Sequence, residues 1–344
     1  MAKSIARAAF LAATAFLAIA NAKDIKVKEG SSIQEAINNA KSRDRIVVEA
    51  GRYKEQLLIT KSNIELVGKN GAVLVPPESY IPNGCSDLAG PGTQAGICIL
   101  GTGVTLGEYP GYVHLQVTNV VSYVENVKVQ GLEIEAFHGV GIAVVGAKKA
   151  EVRKNTVTDG LVYGILSVGS VGSLITYNTA RSDFSYTGIC LNDRSGATAT
   201  QNTISGYQIG LTVLTNGADV GHNKITNVCV GINVDPGFDA TRLTHNQIGP
   251  SNTRCYADFG GFATGILLAA ATNSEVRHNK VDGQSDGGSE YFPAAGISLF
   301  DATGSQVTHN TLTNNEQDLY VLSEGPNEIA HNKCATPEDL CKKQ

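Results

Sequence analysis

Gly188-Ile-Cys-Leu-Asn-Asp-Arg-Ser-Gly-Ala-Thr-Ala-Thr-Gln-Asn202-Thr-Ile-Ser-Gly-Tyr-Gln-Ile209, followed at once by Gly210-Leu211, is one period of a repeat that runs through most of the chain. A Gly followed by an aliphatic residue recurs at Gly141, Gly164, Gly188, Gly210, Gly231, Gly265 and Gly296, at spacings of 23, 24, 22, 21, 34 and 31 residues. An Asn, in most cases with an aliphatic two residues later, recurs at Asn155, Asn178, Asn202, Asn223, Asn246, Asn279, Asn310 and Asn332. Those spacings are 23, 24, 21, 23, 33, 31 and 22. Both ladders lengthen in the same two places, so extra residues have been inserted into one fixed coil. A short period of alternating segments is too brief for a helix–turn–helix unit, and the leucine-rich frame is missing. Three short strands per turn fit instead, each stacked in parallel on its equivalent one coil away, about 4.8 Å along the axis. The fold class is therefore all-β, a single-stranded right-handed parallel β-helix. Its aliphatics point inward, and the recurring Asn is expected in a tight turn with left-handed backbone, bonded to its neighbours above and below.

The ends have their own logic. Lys3 and Arg7, the apolar run Ala8 to Ala20 and the Ala20-Asn21-Ala22 site predict a signal peptide over residues 1–22 and a secreted, extracellular protein. Residues 23–344 then form one β-helix domain. Ser31 or Ser32 opens Ile33-Gln-Glu-Ala-Ile-Asn-Asn-Ala40, a short amphipathic helix that caps the solenoid. Between Pro76 and Val117 the period vanishes, which predicts one long insertion folded over the coils. Seven cysteines in an exported chain read as three disulfides and one thiol. Loop lengths and repeat offsets pair Cys85 with Cys98, Cys229 with Cys255 and Cys334 with Cys341, leaving Cys190. A net charge of −5 without a basic stripe gives no footprint for nucleic acid, and no segment is long enough to span a bilayer. The expected partner is a polysaccharide or a smaller substrate, met by a monomer.

The segment Ser31–Gly68, the two ladders and the tail to Cys341 together resemble the right-handed β-helix repeat proteins of the pectin-lyase-like superfamily, closest to secreted members with periplasmic copper-protein-type repeats. That resemblance implies a carbohydrate-active scaffold, but scaffold alone does not give function. The catalytic strings of polygalacturonase-like, methylesterase-like, lyase-like and epimerase-like members are absent; His138-Gly139 and Asp235-Pro-Gly-Phe-Asp239 are only fragments of them.

If each Gly-Ile opens a strand with Ile inward, residues two and four after the Gly face out. Across the middle coils these are Cys190/Asn192, Thr212/Leu214 and Asn233/Asp235, flanked by apolar pairs such as Leu166/Val168 and Leu267/Ala269. Asp193 and Arg194, then Asp239 and Arg242, follow this face. Loops bearing Tyr163, Tyr186, Tyr256, Phe259 and Tyr291 should edge it. One groove holding Asp193, Arg194, Asp235 and Arg242 is expected. A lyase acting on an acidic glycan would use Arg194 or Arg242 against the uronate carboxylate, and Tyr186, Arg242 or His138 as base. Calcium enters only in that case, and no protein-bound metal is assigned. A glycoside hydrolase would pair Asp193 with Asp235, two coils and about 10 Å apart. Asn192, Asn233, Asp239 and the aromatics would bind substrate. A non-catalytic glycan or partner binder and a small-molecule isomerase or cyclase are the alternatives. Five histidines that precede ladder Asn residues stack outward at about 5 Å as a coil consensus rather than a metal stripe.

Overall fold

The computed structural model describes residues 22–111, 113–285 and 293–342. The expected signal peptide therefore lies, up to residue 21, outside the described residues. Each coil contributes a strand to three parallel sheets in turn. The Gly-Ile strands form a ten-stranded sheet from Leu57–Ile59 to Gln317–Leu322. A second sheet of twelve runs from Asp24–Val27 to Glu328–Ala330, and a third of ten from Gly51–Lys54 to Thr311–Thr313. Register holds through both long coils: Ile165, Ile189, Leu211, Ile232, Ile266 and Ile297 stand in one file. That file and its counterparts from the other sheets form a fully buried aliphatic core.

The glycine ladder has a steric cause. A Cβ on Gly164, Gly188, Gly210 or Gly231 would lie 2.5, 2.7, 2.7 or 2.3 Å from the carbonyl oxygen of the next ladder glycine. Only Gly permits that approach. The asparagines are buried, and from Asn155 to Asn310 each Nδ2 donates both to a carbonyl one coil back and to Oδ1 of the Asn one coil ahead, as in Asn178 to Val152 O (2.8 Å) and to Asn202 Oδ1 (3.1 Å). One expectation needs correction here. The left-handed residue is not the Asn but the one before it: Lys154, Tyr177, Gln201, His222, His245, His278, His309 and His331 all have φ between 53° and 57°. The Asn keeps ordinary backbone because its side chain must reach inward along the stack.

The interval 76–117 is not a single insertion either. Gln94–Leu100 within it is a full Gly-Ile strand, paired with Leu57–Ile59 on one side and Gly139–Val145 on the other. The irregular chain falls into two pieces around it, the second containing an antiparallel ribbon, Thr105–Leu106 with Val117–Asn119. Gly96-Ile97 is thus a ladder member hidden by the loops that flank it.

Both ends are capped. Ser32 Oγ accepts from Glu35 N (3.1 Å) at the start of the helix Ile33–Asn39, and Glu55 accepts from the amides of Ile33 and Gln34 (2.7 and 3.0 Å). At the other end, the Cys334–Cys341 disulfide tethers the short helix Glu338–Cys341 against the last coil. Cys85–Cys98 and Cys229–Cys255 complete the pairing, and Cys190 is the free, buried cysteine. Burial holds its thiol well above the usual range, which leaves almost no reactive thiolate. Native protein should therefore resist alkylation, while denatured, unreduced protein should take up one label per chain, on Cys190. Labelling of the native form, or two labels after denaturation, would contradict this arrangement.

Candidate functional site

The outward side of the Gly-Ile sheet is covered at its early coils. Leu88, Ala89, Cys98, Ala143, Leu166 and Cys190 form a second apolar cluster, with Leu115 and Val117 packed on it. The early apolar positions are therefore the seat of a cover, not the wall of an open groove. Where the cover ends a cleft opens, floored by Thr187, Cys190, Thr212, Asn233 and Asp235 and edged by His114, Tyr163 and Tyr186. Its enclosed part measures about 30 Å³. That admits a water or two or one small substituent, where whole small-molecule ligands occupy roughly 300–1,000 Å³.

Tyr163 and Thr187 reach this side because the ladder Gly interrupts strict alternation. The residue before the Gly shares the outer face with the residue two after it, as Val140 with Ala143 and Tyr163 with Leu166. Pairing registers skip the Gly in the same way, running from Tyr163↔Thr187 directly to Ile165↔Ile189.

His114 organises the edge of the cleft. Asn192 Nδ2 lies 2.8 Å from its Nε2 and 2.7 Å from Gln116 Oε1, so Nε2 must accept. Nδ1 then carries the proton and donates to Tyr163 Oη at 3.2 Å. Burial pushes the imidazole down to about 4, so it is neutral at neutral pH. Burial raises both Tyr163 and Tyr186, and Asp235 adds to the rise in Tyr186. Asp235 itself sits above the usual carboxylate range because burial outweighs the hydrogen bond from Asn233 Nδ2. Three buried polar atoms of the cleft have no hydrogen-bond partner among the described residues: Thr187 Oγ1, Thr212 Oγ1 and Asn233 Oδ1.

Of the residues expected in one groove, the structure brings Tyr163, Tyr186, Asn233 and Asp235 together, with Asn192 behind them. It does not bring in the rest. Asp193 turns into the coil, 4% exposed, where it accepts from Ser167 Oγ and from Ser173 N (2.9 Å). Arg194 is exposed and donates to Thr118 O (3.2 Å), fastening the cover. Arg242 stands on the second sheet between Asp219 and Glu275, a different side of the rod. Asp239 occupies the turn that leads there and accepts from Thr272 and Asn273, both at 2.7 Å, which hold its carboxyl below the usual range. The expected single groove is therefore corrected: the turn after each Gly-Ile strand carries the chain around a corner. His138 is exposed on the loop before Gly139–Val145. Tyr256 is 58% exposed on the short helix Cys255–Asp258, and Phe259 packs beside the Cys229–Cys255 disulfide. Tyr291 lies outside the described residues. Sequence reasoning missed His114, which belongs to no repeat, and Thr187, which strict alternation turns inward.

A family described as periplasmic copper-binding protein (NosD) matches residues 113–229, and one described as right handed beta helix region matches residues 175–334. Among solved structures, XylC in complex with xylose is similar at 11% identity and a TM-score of 0.60, over 87% of this chain and 69% of that one. The alginate lyase of Paenibacillus sp. str. FPU-7 is similar at 15% and 0.54, over 91% and 99%. PfbA, a surface adhesin of Streptococcus pneumoniae, is similar at 12% and 0.53, over 87% and 84%. At such identities the likeness is one of fold. No curated protein matches the sequence. The three-sheet solenoid is a right-handed parallel β-helix, in agreement with the description of the family that matches residues 175–334.

The copper in the first family's description finds no fitting ligand set. Among the described residues no group of three or more His, Cys, Asp or Glu could hold a metal ion. Within the matched span, both ring nitrogens of His114 are engaged and the Cys190 thiol is buried.

Proposed function

We propose that this is an exported carbohydrate-binding β-helix whose cleft takes a neutral sugar, with a hydroxyl or hydroxymethyl group entering the floor and the ring lying above it against Tyr186. One observation carries the reading: Thr187 Oγ1, Thr212 Oγ1 and Asn233 Oδ1 are buried without hydrogen-bond partners among the described residues, in the same cleft as a partly buried carboxylate. Native proteins pair almost all such groups, and each one left bare costs about 1–3 kcal/mol. Vicinal sugar hydroxyls, each a donor and an acceptor, satisfy hydroxyl, amide oxygen and carboxylate alike.

Charge decides between neutral and acidic glycans. Asp235 is the cleft's one charged side chain among the described residues, and no Lys or Arg lines it. A uronate would meet like charge, and a lyase would lack the cation that neutralises the substrate carboxylate. A hydrolase would lack its second carboxylate, since Asp193 faces inward. Binding without turnover follows. On a glycan array, the intact protein should bind neutral saccharides and release neither reducing ends nor unsaturated uronyl products. Asp235→Ala should weaken that binding about tenfold or more, the equivalent of one lost charged hydrogen bond. Preference for polyuronates, or unchanged affinity in Asp235→Ala, would overturn the reading.

A further inference from the structure

The left-handed corner between the second and third sheets carries a feature that the cleft does not use. In five successive coils this position is His222, His245, His278, His309 and His331, all exposed. Their rings stack in one row, with centroids 4.8, 5.1, 5.3 and 5.2 Å apart. The backbone does not select imidazole, because Lys154, Tyr177 and Gln201 hold the same place with the same geometry in earlier coils. Nor does the row suit a metal: stacked rings carry their lone pairs side by side instead of converging on a point.

The neighbours of the row give it a charge. On the third sheet a parallel file runs Lys224, Gln247, Lys280, Thr311, Lys333, in register and exposed at each lysine. A depression of about 150 Å³ lies along it, between Lys224, Gln247 and Lys280, with Asp282 at its side. On the second sheet the facing charged groups are Asp219, Arg242, Glu275, Arg277 and Glu328, of which Arg277 and Glu275 are paired. With neutral imidazoles the corner counts five cations (Lys224, Lys280, Lys333, Arg242, Arg277) against four anions (Asp219, Glu275, Glu328, Asp282), a net of +1. Protonating the five histidines takes it to +6, on a chain whose overall charge is −5.

We propose that this corner is an acid-gated binding strip for a linear acidic polysaccharide, engaged when the imidazoles are protonated and idle when they are neutral. The dimensions favour a single polymer chain. The row is straight, one residue wide and spans four stacking intervals of about 5 Å, so successive cations meet successive rings of an extended polyuronate. A membrane would need a flat basic face, and a duplex would need positive charge beyond one corner. Held apart by only one coil, the imidazolium groups repel each other, and His245, second in the row, is kept below the ordinary histidine range by burial and by His222 and His278 on either side. Carboxylates laid along the row relieve that repulsion, so polymer binding and proton uptake reinforce each other.

The test uses the whole chain with polygalacturonate as probe, at low salt, near pH 5 and near pH 7.5, where the polymer stays ionised and only histidine changes charge. Affinity should be at least tenfold higher at the lower pH and should fall with added salt. A double variant, His245→Gln with His278→Gln, should keep the fold, since Gln201 already occupies the equivalent position, and should clearly reduce the pH dependence, because it removes two of the five charges gained in acid. Asp235→Ala should leave polygalacturonate binding unchanged, which separates this strip from the cleft. Affinity independent of pH, pH dependence undiminished in the double variant, or equal acid-gated binding to anionic vesicles or duplex DNA would each overturn the proposal.

Discussion

Asn246→Ala should lower the stability of the central coils by about 4 kcal/mol, far more than a change at an exposed site. The side chain makes four buried hydrogen bonds. Oδ1 accepts from Asn223 N and Asn223 Nδ2, both at 3.0 Å, and Nδ2 donates to Val220 O (2.9 Å) and Asn279 Oδ1 (3.0 Å). Alanine strands Asn223 N, Val220 O and one proton of Asn223 Nδ2, whose other proton still goes to Ala199 O (2.9 Å), in a place stacked closely above and below. Asn279 Oδ1 is spared because it still accepts from Asn246 N (2.9 Å). Each stranded group costs about 1–3 kcal/mol, and partial entry of water keeps each near the low end, which gives the total of about 4 kcal/mol. Because coils contact mainly their neighbours, the loss should be local. Hydrogen exchange should accelerate for amides between Asn223 and Asn279 while the coil at Asn155 stays protected. Gln201→Ala, an exposed control beside the same ladder, should change stability by about 0.5 kcal/mol or less. An Asn246→Ala effect as small as that would mean the ladder is ornamental.

What the sequence discloses and what it hides follow from periodicity. The ladders at Gly188 and Asn202 repeat because each coil meets the same steric and hydrogen-bonding demands, so three sheets, both caps and all three disulfides are legible in the order of residues alone. Parity along a strand also puts Asp235, four after Gly231, on the outer face. The same parity turns Asp193, five after Gly188, inward with Leu191, and extending the outer face past Asn192 overlooked it. Thr187 was hidden because close packing at each ladder Gly breaks the alternation on which parity depends. His114 was hidden for another reason. Its place is set by how a non-repeating segment docks on Leu166 and Cys190, and nothing repeats there to be read. The solenoid side of the cleft, Thr187 apart, is thus legible, and the cover, which supplies Val113 and His114, is not.

The cover should loosen in acid, with His114 as the cause. Its imidazole is 1% exposed and titrates near 4, against about 6.5 in an unfolded chain. A folded value depressed below the unfolded one means full stability above pH 6.5, lost progressively as pH falls to about 4. The gap corresponds to about 3 kcal/mol at 1.36 kcal/mol for each pH decade. Protonated Nε2 would also face Asn192 Nδ2, donor against donor, at the present 2.8 Å. Opening the cover relieves this more cheaply than unfolding the coils, so the amide of Leu115, which donates to Leu88 O at 2.8 Å, should progressively lose protection, relative to its intrinsic exchange rate, below pH 6.5. His114→Gln keeps an acceptor for Asn192 and a donor for Tyr163 but cannot titrate. Above pH 6.5 it should be about 1 kcal/mol less stable than the wild type, the usual worth of an imperfectly replaced hydrogen bond, and the acid slope at Leu115 should vanish. Asp193 and Asp235, raised by burial, act in the opposite sense near the bottom of this window, so the wild-type-minus-variant difference at each pH isolates His114. An unchanged slope in the variant would remove His114 as the trigger. Since the cover carries His114 at the edge of the cleft, neutral-sugar affinity should decline over the same interval in which the histidine corner gains its charge, and the two sites should answer acid in opposite directions.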